Sequence, residues 1–262
     1  MNPTRRALLA AGVALPWLGT KGAFAQRARG QSVREVMRFS ALKAGGALPE
    51  DLQPWAFQDQ PRHTRYTLVE DAGVVVLRAQ ADASTSGLVR QIRVDSEAYP
   101  ILAWRWKPLN LVSKSNLARK EGDDFALRVY VTFDVDLDTL SVGERIGLSL
   151  ARLIYGDRVP LAALCYVWDA RAPRGTFAHN PYTDRVRMIV AESGVERIGR
   201  WVSVERNIRE DYRRAFGQEG RNAGPVPAVS GVIVSTDTDN TGESVEALYG
   251  DIEFRSLPAP GK

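Results

Sequence analysis

The chain of 262 residues is poor in the residue types on which many enzymes depend. It has one cysteine and two histidines, which excludes an internal disulfide and argues against a multi-histidine metal site. No G-x-S-x-G, H-E-x-x-H, C-x-x-C or phosphate-loop glycine pattern occurs in it, which argues against a hydrolase triad and a nucleotide-phosphate loop. A basic run with interleaved aromatic residues is also missing, so nucleic acid is not an expected partner. The lone Cys165 lies in an apolar run and is expected to be buried.

Long apolar runs are missing too. The longest, Leu8 to Gly19, spans about a dozen residues, whereas about 20 are needed to cross a bilayer. It follows Arg5-Arg6 and precedes an A-x-A cleavage signal at 23–25. Residues 1–25 are therefore predicted to be a cleavable signal peptide of twin-arginine type, and the protein to be periplasmic or secreted without a stable membrane anchor. An ordinary secretory signal is the alternative.

Beyond a polar lead-in at 26–36, apolar residues recur with the period of two that β-strands show. Leu102, Trp104 and Trp106 are expected to face a core, and Phe125 to Phe133 alternates in the same way. Further strands are predicted at 64–69, 73–79, 88–94, 163–168, 185–191, 201–206, 229–235 and 245–254. Many short strands with turn residues between them favour an all-β fold, a jelly-roll β-sandwich, as one domain over 37–256.

A helical insertion is expected within about 136–183. Ser141 and Glu144 form a capping box, and Ile146, Leu150, Leu153 and Ile154 make an apolar stripe at helical spacing. This predicts a helix from about Ser141 to Tyr155 that packs on the sandwich. A second, short helix is predicted from Glu210 to Phe216.

Several strings resemble an uncharacterised bacterial family of exported proteins, known only as a domain of unknown function. They are WRWK (104–107), GDDFALRVYVTF (122–133), YVWD (166–169), NPYT (180–183), DTDNT (237–241) and YGDIEF (249–254). The layout is also loosely similar to galactose-binding-like jelly rolls, the fold of many carbohydrate-binding modules. That resemblance implies ligand binding by analogy only.

Two polar constellations are candidate sites. If the strands 101–107 and 124–134 are neighbours, Arg105, Lys107, Arg128 and Tyr130 share a face that suits acidic sugars or anions; a solvated outer face is the plainer explanation. After a strand, Asp237, Asp239 and Asn240 are expected to join Arg128 and Tyr130 around one cleft. An Arg–Asp pair that is purely structural is the main competitor.

The TDTDNTGE segment also resembles the opening of a calcium loop. Its candidate ligands are Asp237, Asp239, Thr241, Glu243 and Asp251. An Asx-rich turn is the plainer explanation of the segment. Asp123 and Asp124 could form an acid–base pair with the later aspartates, as glycoside hydrolysis needs two carboxylates, but turn aspartates are again the simpler reading.

The leading functional hypothesis is an exported binding protein, without catalysis, for a small polar molecule such as a saccharide. No cofactor is required for that role, although calcium is compatible with it. The alternative is a carbohydrate-active enzyme, a polysaccharide hydrolase or lyase, that uses aspartate carboxylates. A structural partner in an envelope assembly is the third. The sequence leaves the oligomeric state open.

Overall fold

In a computed structural model, residues 31–56, 60–135, 162–217 and 225–259 are described. They form two β-sheets packed face to face, so the all-β jelly-roll sandwich expected from the sequence is confirmed. In chain order the strands are β1 (Val33–Met37), β2 (Leu52–Trp55), β3 (Arg65–Asp71), β4 (Val74–Asp82), β5 (Thr85–Val94), β6 (Ile101–Pro108), β7 (Arg128–Phe133), β8 (Ala162–Asp169), β9 (Phe177–Asn180), β10 (Thr183–Ser193), β11 (Val202–Asn207), β12 (Val229–Asp237) and β13 (Ser244–Arg255).

Sheet A runs in the order β11-β6-β13-β4-β3, with β1 also paired to β13. Sheet B runs in the order β2-β5-β12-β7-β8-β10-β9. The pairing of β10 with β8 is parallel, and their neighbours in sheet B pair in the antiparallel direction. The predicted strand segments 101–107 and 124–134 therefore lie in different sheets as β6 and β7, and the expectation that they are neighbours is wrong.

Aromatic side chains fill the space between the sheets. Trp104 and Trp106 of β6 are fully buried, as their alternation with Arg105 and Lys107 predicts. Their indole rings pack edge to face, with centroids 5.2 Å apart. Trp104 also meets Tyr166 at 5.2 Å and Trp106 meets Trp168 at 6.0 Å, both from β8 of the opposite sheet. This cluster joins the two sheets.

Sheet B is covered on its outer face as well. All eight residues of β8 are buried, which is unusual for a sandwich strand with one solvated face. Cys165 and Val167 point away from the inter-sheet core and pack against Phe125 and Leu117, from the segment that precedes β7. Alternation along 125–133 predicted that Phe125 faces the core between the sheets. It lies in the outer cluster instead, because β7 begins only at Arg128 and the alternation of a strand does not extend back to Phe125.

One α-helix lies within the described residues, α1 (Ile208–Phe216). Asn207 caps it, because its side-chain oxygen accepts from the backbone N–H groups of Arg209 and Glu210. Tyr212 and Phe216 turn into the core. The helix predicted over 141–155 falls outside the described residues, and 162–180, which the sequence placed in the insertion, supplies β8 and β9. No helix in the described ranges is long and apolar enough to cross a membrane.

Candidate functional site

Arg128 is the centre of a buried polar cluster on the outer face of sheet B. It opens β7, and its side chain is only 1% exposed. Its Nε donates to Asp237 Oδ1 at 2.9 Å, and its Nη2 lies 2.8 Å from Asp237 Oδ2. Its Nη1 donates to Asp123 Oδ1 at 3.1 Å and to the Tyr130 hydroxyl at 3.2 Å. The guanidinium carbon also lies 4.6 Å from the Phe125 ring centroid.

Two further aspartates extend this cluster towards the loops. Asp124, which is 0% exposed, accepts from the Asn240 side-chain amide at 3.1 Å and from the Thr241 backbone N–H at 2.6 Å. Asp239 is half-buried and accepts from Gln60 Nε2 at 3.2 Å. Carboxylate oxygens of Asp124, Asp237 and Asp239 lie within 4.8 Å of one another. We call Arg128 with the four aspartates 123, 124, 237 and 239 the Arg128 cluster.

The Arg128 cluster holds more negative than positive charge. Burial raises the pKa of Asp237 to about 8, with Asp124 and Asp123 adding to the effect and Arg128 opposing it. Burial also raises the pKa of Asp123 and of Asp239, and the negative charge of Asp124 contributes to both shifts. Four carboxylates beside one guanidinium therefore favour keeping a proton in the cluster near neutral pH. Asp124, Asp237 and Asp239 are also the residues that could hold a hard cation such as calcium, because carboxylate oxygens are its preferred ligands.

The exposed rim above the Arg128 cluster carries an aromatic side chain. Tyr182, in the turn between β9 and β10, is 53% exposed. Its hydroxyl donates to Asn240 Oδ1 at 2.6 Å, and its backbone N–H donates to Asn180 Oδ1 at 3.0 Å. Lys120 Nζ lies 5.1 Å from the centre of its ring.

The strand register explains why these residues converge. Ser235 of β12 pairs with Arg128, so Asp237, two residues further on, leaves the same face of the sheet as Arg128. The segment before β7 then crosses the end of β12, where the Phe125 backbone N–H donates to Asp237 Oδ1 at 2.8 Å. The turn after β12 brings Asp239 and Asn240 over Asp124.

The structure brings together the residues that were predicted to surround one cleft, in a cluster that is mostly buried. Asp237, Asp239 and Asn240 do lie around one polar centre with Arg128 and Tyr130. The innermost contact is the Arg128–Asp237 pair, which is the purely structural arrangement that the sequence allows as the alternative to a ligand site.

Arg105 and Lys107 do not belong to this site. They lie on β6 of sheet A, where Arg105 stacks on Trp201 and Lys107 forms an ion pair with Asp71.

The predicted calcium ligands are brought together only in part. Glu243 is not among the converging carboxylates; it accepts from the backbone N–H groups of Ser113 and Lys114, both at 2.9 Å. Asp251 accepts from Ser40 instead. Thr241 reaches Asp124 through its backbone N–H rather than offering a ligand oxygen. The calcium-loop pattern concerns one continuous segment of the chain. It therefore could not predict that Asp124, from the segment before β7, is the third carboxylate beside Asp237 and Asp239.

The sequence missed the supporting residues Asn180, Tyr182 and Gln60. Asn180 Nδ2 donates to Asp123 Oδ2 at 3.0 Å, so the NPYT string links β9 to the Arg128 cluster. The adjacent His179 is exposed, and its ring Nδ1 lies 3.4 Å from Asp184 Oδ1, away from the Arg128 cluster. In the sequence these residues are short polar side chains in turns. Because ordinary turns contain the same residue types, the pattern did not distinguish them as site residues.

The described residues define a β-sandwich with a buried Arg–Asp centre at one end. The family model named "Protein of unknown function (DUF3047)" matches residues 50–253, and the chain belongs to this family. Among curated proteins, no match is found.

Two solved structures are similar in fold. One is described as the crystal structure of an agarase, AgWH50C, at 10% identity and a TM-score of 0.34, with 87% of this chain and 25% of the agarase chain covered. The other is the Trichoderma harzianum Endoglucanase 3 from family GH12, at 7% identity and a TM-score of 0.37, with 80% of this chain and 99% of that chain covered. The chain therefore spans about a quarter of the agarase and nearly all of the endoglucanase.

Proposed function

We propose that the protein is an exported binding protein, acting without catalysis, whose ligand is a small polar molecule such as a saccharide. The binding surface is the rim formed by Tyr182, Lys120, Asn240, Asp239 and Gln60. The observation that carries this proposal is the way in which the exposed ring of Tyr182 is held.

Two hydrogen-bonded routes tie Tyr182 to the buried Arg128 cluster. In the first, its hydroxyl donates to Asn240, whose amide donates to Asp124. In the second, its backbone N–H donates to Asn180, whose amide donates to Asp123, the partner of Arg128. An exposed aromatic ring fixed in this way loses little freedom when a ligand binds, and such preorganisation favours affinity.

The chemistry of the rim suits a saccharide. The C–H face of a sugar ring packs on an aromatic face, and its hydroxyls need directional donors and acceptors nearby. Around Tyr182 these are the Lys120 ammonium, the Asn240 amide and, deeper, the half-buried Asp239 carboxyl, which is hydrogen-bonded to Gln60.

Screening of the purified protein on a glycan array, followed by calorimetric titration with the glycan that binds most strongly, tests this proposal. We expect Tyr182→Ala to weaken binding about tenfold or more, because the loss of one aromatic platform costs at least about 1.4 kcal/mol. His179→Ala is the matched control, since His179 is an exposed ring on the neighbouring β9 and should leave the affinity unchanged. Equal affinity of the Tyr182→Ala variant and the parent protein would refute the proposed rim.

One observation favours the enzyme alternative. Asp239 is half-buried and has a raised pKa, which is the property of a general acid. Its carboxylate neighbours Asp124 and Asp237 are buried, however, and lie within 4.8 Å of it, closer than the roughly 5 to 9.5 Å that separates the two carboxyl groups of glycosidases. Release of reducing sugar from a panel of polysaccharides, abolished in Asp239→Asn, would establish the enzyme instead of the binding protein.

A further inference from the structure

A second polar site lies on the outer face of sheet A, away from the Arg128 cluster. Arg105 projects from β6, and its guanidinium carbon lies 4.5 Å from the centre of the Trp201 ring, just before β11. Arg105 is 8% exposed, and Trp201 is partly exposed. A stacked guanidinium uses its flat face for the aromatic ring and leaves its N–H groups at the edge.

The position of Arg105 is enforced by Gly250 of β13. A Cβ atom at Gly250 would lie 2.4 Å from Arg105 Cγ and 2.5 Å from Arg105 Nε. The side chain therefore lies directly across the glycine, and only a residue without a side chain allows it to do so. Trp201 thus contacts the guanidinium, and Gly250 leaves the room that the Arg105 side chain needs to lie there.

The N–H groups at the edge of this guanidinium are not engaged by the part of the chain that the structure describes. Among the residues that the structure describes, none accepts a hydrogen bond from Arg105, although the group carries five N–H donors. Burial lowers the pKa of Arg105, while the carboxylates of Asp251 and Asp71 oppose that shift from a distance. No nitrogen of Arg105 is among the buried side-chain atoms without a partner, so its N–H groups reach solvent and an anionic ligand can accept their hydrogen bonds there.

The two nearby carboxylates are already engaged. Asp71 accepts from Lys107 Nζ at 2.7 and 2.8 Å and from Trp201 Nε1 at 2.6 Å. These bonds lower the pKa of Asp71 although burial opposes the shift. Asp251 accepts from the backbone N–H and the hydroxyl of Ser40. Lys107 is thus neutralised by Asp71, whereas no carboxylate of the described residues is in direct contact with Arg105.

We propose that Arg105 and Trp201 form a binding site for a carboxylate group on the outer face of sheet A. The guanidinium edge presents two parallel N–H groups that match the two oxygens of a carboxylate. An acidic saccharide is a ligand of this class. The site is separate from the rim at Tyr182, because the two lie on different sheets.

Calorimetric titration of the purified protein with sodium D-glucuronate at low salt tests the site, with D-glucose as the neutral comparison. We expect glucuronate to bind, and D-glucose to bind at least about tenfold more weakly, since it lacks the carboxylate. Failure of glucuronate to bind, or equal affinity for both sugars, would overturn the proposal.

Variants then assign the binding to Arg105. Arg105→Gln and Arg105→Lys should both weaken glucuronate binding about tenfold or more, because lysine keeps the charge but loses the planar fork. Arg78→Gln is the matched control, because Arg78 lies on β4 of the same sheet and is already bonded to Gln80 and Glu246. The Arg78→Gln variant should bind glucuronate with the affinity of the parent protein. Full affinity in Arg105→Lys would reveal a simple charge effect and reject the site.

Gly250→Ala provides a second route if the Arg105 variants fold poorly. The added methyl group would displace the Arg105 side chain without removing its charge, and glucuronate binding should fall. Retained affinity in this variant would count against the proposed geometry. Arg105→Gln should leave binding of the glycan identified at the Tyr182 rim unchanged, so that failure at one site can be told from failure at the other.

Discussion

Arg128 and Asp237 meet through two parallel contacts, from Nε to Oδ1 at 2.9 Å and from Nη2 to Oδ2 at 2.8 Å. The pair joins β7 to the end of β12 and is buried beneath the loops that carry the exposed rim. Because its geometry is bidentate, it fixes the orientation of both side chains as well as neutralising them. The loops that bear Asn240 and Tyr182 are therefore built on a rigid base.

Removal of Arg128 should destabilise the protein strongly. We expect Arg128→Met to lower the free energy of unfolding by about 3–5 kcal/mol, because Asp237 and Asp123 would remain buried without their cation. Urea unfolding measures this loss. The control is Arg93→Gln, which breaks an ion pair with Asp134 in which both side chains are exposed; it should cost less than about 1 kcal/mol. Similar losses in both variants would contradict a special role for the buried pair.

Asp239→Asn should stabilise the protein above about pH 4. The amide keeps the shape of the side chain and removes a negative charge close to Asp124 and Asp237. Asp239 and Asp237 both have raised pKa values in the folded state, that of Asp237 reaching about 8. In the unfolded chain these carboxyls ionise near pH 4, so between about pH 4 and 8 the unfolded state of the parent protein binds fewer protons than the folded state.

The contribution of these carboxyls to stability must therefore fall as the pH rises through that interval. The advantage of Asp239→Asn over the parent protein should be close to zero near pH 4 and grow as the pH rises through the raised pKa of Asp239 in the folded state. Melting temperatures measured in EDTA across this range test the sign without interference from divalent ions. An advantage that shrinks with rising pH would refute the proposed repulsion.

Tyr249 stabilises the same end of the sandwich from β13. Its buried hydroxyl donates to the Ser235 carbonyl at 2.5 Å and accepts from the Arg128 backbone N–H at 3.1 Å. Tyr249→Phe should cost about 1–3 kcal/mol of unfolding free energy, because those backbone groups would lose their partner in a buried position. Chemical denaturation of Tyr249→Phe beside Tyr182→Phe, where the hydroxyl is exposed, should show the larger loss for Tyr249.

The route of export is testable at the other end of the chain. Replacement of Arg5 and Arg6 by lysine keeps the positive charge of the leader but removes the guanidinium groups that the twin-arginine route recognises. We expect the precursor to remain in the cytoplasm, measured by fractionation and blotting. Normal appearance of the variant in the periplasm would instead indicate the general secretory route.

The local rules of strands made much of this protein predictable. Alternation placed Trp104 and Trp106 in the core and turned Arg128 and Tyr130 to the opposite face from Val129 and Val131, because side chains along a strand leave on alternate faces. The apolar setting of Cys165 predicted its burial. The strings that resembled a family of unknown function correspond to the family to which the chain belongs.

Tertiary structure decided which strands are neighbours. A period of two reveals the face of a strand but not its partner, so the sequence could group Arg105 and Lys107 with Arg128 although they lie in different sheets. It could also extend the calcium-loop pattern to Glu243 and Asp251, whose carboxylates bind other segments. The Arg128 cluster joins Asp123 and Asp124 to Asp237 and Asp239 across more than 100 residues of sequence, and only the packing of β7 beside β12 creates that proximity.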